Sequence, residues 1–211
     1  MKVYSFTKKE EYAHAILHGI GALFSLIALV LLIIYATSNG NLWHIVSVAI
    51  FGITMLLMYL ASTIVHSLPP GKWKDRFLII DHVSIYLFIA GSYTPFLLVH
   101  LRGEIGWTLF FIVWGFAIAG IIFKIFFVKK LILLSTLLYI LMGWLMLIAW
   151  DPLTSIMHER GVKLLVIGGV LYTSGTIFYI WRSFPFHHAV WHAFVLAGSA
   201  FHFFTVLYYV L

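Results

Sequence analysis

Residues 15–36 read AILHGIGALFSLIALVLLIIYA, a stretch without one charged side chain. A helix that crosses a bilayer needs about 20 consecutive, predominantly apolar residues, so this segment is long enough to span a membrane. It is too long for the apolar core of a signal peptide, and no small-x-small cleavage site with a polar start follows it, so it is read as a retained helix. Outward from it the pattern recurs near 43–66, 77–98, 107–128, 131–150, 161–181 and 188–210. The breaks are short: Thr37-Ser38-Asn39-Gly40-Asn41, Pro69-Pro70-Gly71-Lys72, Arg102-Gly103-Glu104, Lys129-Lys130, Asp151-Pro152 and Ser183-Phe184-Pro185. Barrel strands would alternate polar and apolar residues in pieces of about ten residues, whereas these runs are continuously apolar. The expectation is an all-α integral membrane bundle of seven transmembrane helices, one domain over residues 1–211, with no internal repeat.

Composition agrees. The 211 residues are 63% hydrophobic and 9% charged, with a mean hydropathy of +1.06, whereas soluble domains carry about 25% charged residues. Too little polar surface exists to clothe a water-soluble globule, which excludes a soluble enzyme, a nucleic-acid module and a disordered chain. The net charge of +6 therefore reports topology, not a nucleic-acid partner. The side holding the N-terminus collects ten basic residues, Lys2, Lys8, Lys9, Lys72, Lys74, Arg76, Lys124, Lys129, Lys130 and Arg182, against three opposite, Arg102, Arg160 and Lys163. Positive residues stay inside, which predicts a cytoplasmic N-terminus and, after seven spans, an external C-terminus. With no Cys, disulfides and thiolate metal sites are excluded.

Eleven His are unusual in so apolar a chain. Intramembrane ionisable residues are costly and mark function by default, and Asp81 is the one acid placed clearly within a span; Glu10 and Glu11 are read as preceding the first helix. Asp81 lies about one turn into the third span, His66 ends the second, and His188 and His192 begin the seventh, so alternating topology delivers all four to one membrane level. His188 and His192, at i and i+4, share a helix face about 6 Å apart along the axis, a spacing that suits two imidazoles on one metal ion. With His66 as third donor and one open position, the set matches a catalytic zinc pattern. Asp81 beside an ion-activated water would have a reason to be buried, and Ser62, one turn before His66, would face the same place.

A plain polar network that locks the bundle competes with this reading, since interhelical polar contacts are common in membranes. His14 and His18 carry the same spacing and serve as a decoy. His187 could compete with His188 but does not share a face with His192. His82 points about 100° from Asp81. His202 lies about 15 Å beyond His192, too far for the same ion, and is read as a hydrogen-bonding residue of the bundle lining. His44, His100 and His158 are read as interfacial, and the Trp and Tyr as anchors and packing.

Glu11-x-x-His14-x-x-x-His18-Gly19, Ser62-Thr63-Ile64-Val65-His66, Asp81-His82-Val83-Ser84-Ile85-Tyr86 and His188-Ala189-Val190-Trp191-His192, with Gly198, Ser199 and His202 beyond, span nearly the whole chain. In their order and placement the sequence resembles the bacterial hemolysin III branch of the progestin and adipoQ receptor superfamily, which includes the adiponectin receptors. The resemblance implies a multi-pass protein of a bacterial plasma membrane, inverted relative to G-protein-coupled receptors. It also implies an inner-leaflet zinc ion on His66, His188 and His192, with Asp81 holding the zinc-bound water and Ser62 beside it. The receptor relatives are associated with ceramidase-like amide hydrolysis, and the bacterial branch is named for cytolysis. His14 and Leu17 stand where the family's first motif usually has Asn and Thr.

Two functions follow as expectations. One is a zinc-dependent hydrolase of a lipid amide or ester, with membrane lipids as partners and substrate entering laterally from the inner leaflet. The other is a pore-forming or membrane-perturbing cytolysin, or a receptor-like protein with a structural zinc. A channel would want polar residues along its lumen at all depths, whereas polarity here is concentrated at one level.

Overall fold

The computed structural model describes residues 6–211, so Lys2, counted above for topology, lies outside the described residues. Eight α-helices carry the chain: α1 Lys8–Asn39, α2 Leu42–Ser67, α3 Lys72–Pro95, α4 Glu104–Phe127, α5 Ile132–Gly143, α6 Trp150–Ile156, α7 Glu159–Ile180 and α8 His187–Tyr209, and no strand occurs among the described residues. A π-helical turn, Phe96–His100, extends α3, and a 3₁₀ segment, Leu145–Ala149, joins α5 to α6. Among the described residues this makes seven segments long and apolar enough to cross a membrane, and each contains or closely matches one of the seven stretches read from the sequence.

Local chemistry explains the boundaries that moved. The first helix starts at Lys8 because Thr7 and Glu10 form a reciprocal cap: the Glu10 N–H donates to the Thr7 hydroxyl at 3.3 Å, and the Thr7 N–H donates to the Glu10 carboxylate at 2.8 Å. Glu10 and Glu11 therefore belong to the first turn of α1 instead of preceding it. Asp151-Pro152 does not end the fifth span, which runs to Ile156. Pro152 sits in the first turn of α6, where its missing N–H would have no helical partner anyway. The break lies earlier, at Trp144, where the Tyr93 hydroxyl is 2.6 Å from the Gly143 carbonyl oxygen and accepts the Met146 N–H at 3.1 Å. Between the fourth and fifth spans, Leu131 turns the chain with φ +52°, directly after Lys129-Lys130.

The bundle is arranged for lipid rather than water. On α1 the buried positions are His14, His18, Gly21, Ala22, Ser25, Ala28, Leu32 and Ala36, a helical stripe of small and polar residues, while Ile16, Leu23, Ile27 and Ile34 face outward. Small residues let helix backbones approach where lipid tails compete equally for large side chains. A side chain at Gly21 would collide with the ring of Tyr59 on α2. Chain neighbours pack together, α1 on α2, α2 on α3, α3 on α4 and α7 on α8, and α1 closes onto α8. This closure sets the starts of α1, α3 and α8 and the end of α2 side by side at one end of the bundle.

Candidate metal centre

At that end α2 delivers His66 from its last turn and α8 delivers His188 and His192 from its first two. The three offer ring nitrogens that all lie within 4.8 Å of one another. Their ring centroids are 4.5 Å apart for His188 and His192, 5.2 Å for His66 and His192, and 5.4 Å for His66 and His188. All three residues are buried or nearly so. Three imidazoles with convergent nitrogens are a donor set that zinc accepts, and the residues fit that ion.

Asp81 and Ser62 flank this group instead of joining it. Both line a cavity that also touches His188 and His192. The cavity runs between α2, α3, α5, α7 and α8 past Phe88, Tyr93, Trp144 and Tyr172 to His202, with hydroxyls such as those of Thr173 and Thr176 among its apolar walls. His202 rests its Nε2 against the Leu165 carbonyl at 3.3 Å, the lining role expected of it. His187, its Nδ1 facing the Phe178 carbonyl at 2.9 Å, does not belong to the group of convergent donors among the described residues. His82 turns away from the metal group, with Nδ1 on the Leu78 carbonyl at 2.9 Å and Nε2 3.3 Å from the Tyr179 hydroxyl.

Several residues join the site that the sequence pattern leaves aside. His14 is edge-on to His66 at 4.7 Å and to His188 at 4.8 Å, and His18 stacks on His192 at 3.5 Å. The decoy pair is thus part of the cluster. The inward stripe of small residues on α1, continuous with both His, is the signal that could have placed them. Phe6 covers the group from outside, 4.7 Å from His14 and 5.0 Å from His188. Glu11 accepts from His66 Nδ1 on Oε2 at 2.7 Å and from Lys74 Nζ on Oε1 at 2.7 Å, and Glu11, His14 and His66 form a second set of three close donors. Glu10 accepts the Phe186 N–H at 3.1 Å, which steadies the left-handed residue, φ +61°, just before α8.

One residue that the count of basic residues assigns to the membrane surface lies inside the bundle. Lys124 on α4 is fully buried, its Nζ lacks a hydrogen-bond partner among the described residues, and it lies 6.0 Å from the centroid of the Tyr139 ring.

A sequence model of the family described as haemolysin-III related matches residues 6–203. The chain is 59% identical over 204 residues to the hemolysin-3 homolog of Bacillus subtilis (strain 168), covering 97% of this chain and 96% of that protein. It is 54% identical over 203 residues to hemolysin-3 of Bacillus cereus, covering 96% and 93%. A more distant relative is the monocyte to macrophage differentiation factor of Homo sapiens, 27% identical over 180 residues, covering 81% and 73%.

Proposed function

This chain belongs to the haemolysin-III-related family, and from that premise we propose that it is a zinc-dependent hydrolase of a lipid amide or ester within a bacterial plasma membrane. One observation carries the reading. Three histidines offer convergent nitrogens, and two of them, His188 and His192, line a cavity whose wall also holds Asp81 and Ser62. His66, His188 and His192 hold the ion, which when bound supplies Lewis acidity toward a carbonyl oxygen and an acidified water.

The remaining steps belong to the protein. The apolar walls at Phe88, Tyr93 and Trp144 take the acyl chain and exclude bulk water, leaving the amide or ester carbonyl beside the histidines. Asp81 accepts a proton on a carboxylate oxygen from the attacking water and returns it to the departing nitrogen or oxygen. Ser62, in the same cavity wall, is the hydroxyl that would steady this carboxylate. With the N-terminus in the cytoplasm, as the basic residues favour, the site opens toward the inner leaflet and substrate enters sideways from the lipid.

The test is the lipid composition of cells expressing the wild type or Asp81→Asn. Free fatty acid and the matching amine or alcohol are expected to rise only with the wild type; identical lipid profiles at equal expression would sink the hydrolase. The names of the Bacillus relatives favour a second reading, membrane perturbation. Dye release from vesicles by purified protein, undiminished by Asp81→Asn, would support it over hydrolysis. A reporter fused at the N-terminus and found outside would overturn the proposed orientation, and both termini on one side would mean an even number of spans.

A further inference from the structure

We propose that Glu11 is the positioning residue of this metal site. Its carboxylate holds His66 in the tautomer with the proton on Nδ1, so that Nε2 faces the ion, and Lys74 clamps the carboxylate in that pose. The inference rests on the zinc reading above and deepens it by assigning the first helix a part in the site.

An ionised carboxylate only accepts hydrogen bonds. The His66 Nδ1 at 2.7 Å from Glu11 Oε2 must therefore carry the proton, and in a neutral ring that leaves the lone pair on Nε2. A carboxylate on the far nitrogen of a ligating histidine fixes ring orientation and raises the basicity of the donor. Glu11 Oε1 is meanwhile taken by Lys74 Nζ at 2.7 Å, and the same ammonium donates to the Leu68 carbonyl at 3.2 Å. Leu68 caps the C-terminal end of α2. One carboxylate thus ties the start of α1 to the end of α2 and the start of α3, and it cannot swing toward an ion without breaking two charge-assisted bonds.

The second donor set, Glu11, His14 and His66, raises the competing possibility of a second ion with Glu11 as a direct ligand. The Lys74 ammonium at the same carboxylate opposes a further cation there. A parallel contact favours positioning instead: the Nδ1 of His192 faces the His14 main-chain carbonyl at 3.4 Å. Glu11 and His14 are three residues apart on α1, hence on one face, and from that face α1 addresses the Nδ1 of two of the three proposed ligands.

The experiment uses the purified full chain in detergent, with zinc affinity measured by chelator competition and the cobalt-substituted form measured by visible absorption. The wild type is expected to bind one ion. Glu11→Ala should weaken zinc by roughly 10–100-fold. Glu11→Gln, which still accepts from Nδ1 but without charge, should weaken it less and shift the cobalt bands, a change that a mere helix tie would not produce. Lys74→Met should fall between the wild type and Glu11→Gln. If Glu11→Ala fails to fold, the nearly isosteric Glu11→Gln decides between the outcomes. Wild-type affinity and an unchanged cobalt spectrum in the Glu11 variants would overturn the positioning role while the zinc site stands. Loss of one of two bound ions would overturn it in favour of direct ligation. A wild type that binds neither zinc nor cobalt would instead remove the metal reading itself.

Discussion

The opening turns of α1 and of α8 carry the same motif, His14 with His18 and His188 with His192, and all four rings are buried at one end of the bundle. Their surroundings differ. The α8 pair meets His66 from across the bundle and forms a three-nitrogen group. The α1 pair packs by its ring faces and edges, His18 stacked on His192 with 11° between planes and T-shaped against Tyr59. Neither ring nitrogen of His14 or His18 has a hydrogen-bond partner among the described residues. The i, i+4 spacing puts two imidazoles on one face, but on α8 both members meet a third donor, His66, whereas on α1 only His14 does, together with Glu11. The α1 pair bears a cost instead, since an unsatisfied buried polar group costs about 1–3 kcal/mol.

The sharpest way to break this distinction is to exchange the roles of the pairs. His188→Ala or His192→Ala should abolish zinc binding by elemental analysis, a larger loss than the roughly 10–100-fold expected when an outer partner is removed. His18→Ala should keep the ion. Zinc retained in both α8 variants would mean that the ligands lie elsewhere in the cluster.

Asp81→Asn comes next in size. Asn keeps the shape but cannot take a proton, so turnover should fall by about 10²–10⁴-fold with the zinc content unchanged. If the metal leaves with the charge, Asp81 is a ligand and the three-histidine set is wrong.

His18→Phe sharpens the cost side. The ring can still stack on His192, while two buried nitrogens without partners disappear, so the thermal midpoint in detergent should rise, by an amount equivalent to about 1–3 kcal/mol. A fall, or loss of zinc, would show that His18 has a polar partner in the working protein. The smallest effect is expected for Glu10→Gln, which weakens the charge-assisted bond to the Phe186 N–H at the start of α8. A loss of about 1 kcal/mol is expected, read as a lower thermal midpoint with zinc affinity nearly intact.

Much of the fold is legible in the chain itself. The seven spans are written locally, because each residue's transfer preference acts where it stands and a bilayer imposes one length on every crossing. Depth is legible as well. Counting turns from each span's end puts His66, Asp81, His188 and His192 at one level, and helix periodicity places His188 and His192 on a common face. The ends of helices are less so: Glu10 and Glu11 join α1 through a cap with Thr7, and Asp151-Pro152 opens a helix that it is expected to close.

What only the tertiary structure decided is azimuth, the direction in which each helix turns its faces. The sequence places Lys124 near a membrane boundary, but the packing of α4 against α3 buries it beside the Tyr139 ring instead of leaving it at the surface. It places Glu11 just ahead of an apolar run, but the closure of α1 onto α2 and α8 brings that carboxylate to His66 and makes His14 and His18 members of the cluster. Hydropathy and helical period fix how deep a residue lies and which residues share its face. Which neighbour that face meets depends on contacts between helices far apart in the chain, and those are set by the small residues, such as Gly21 against Tyr59, that let two backbones come together.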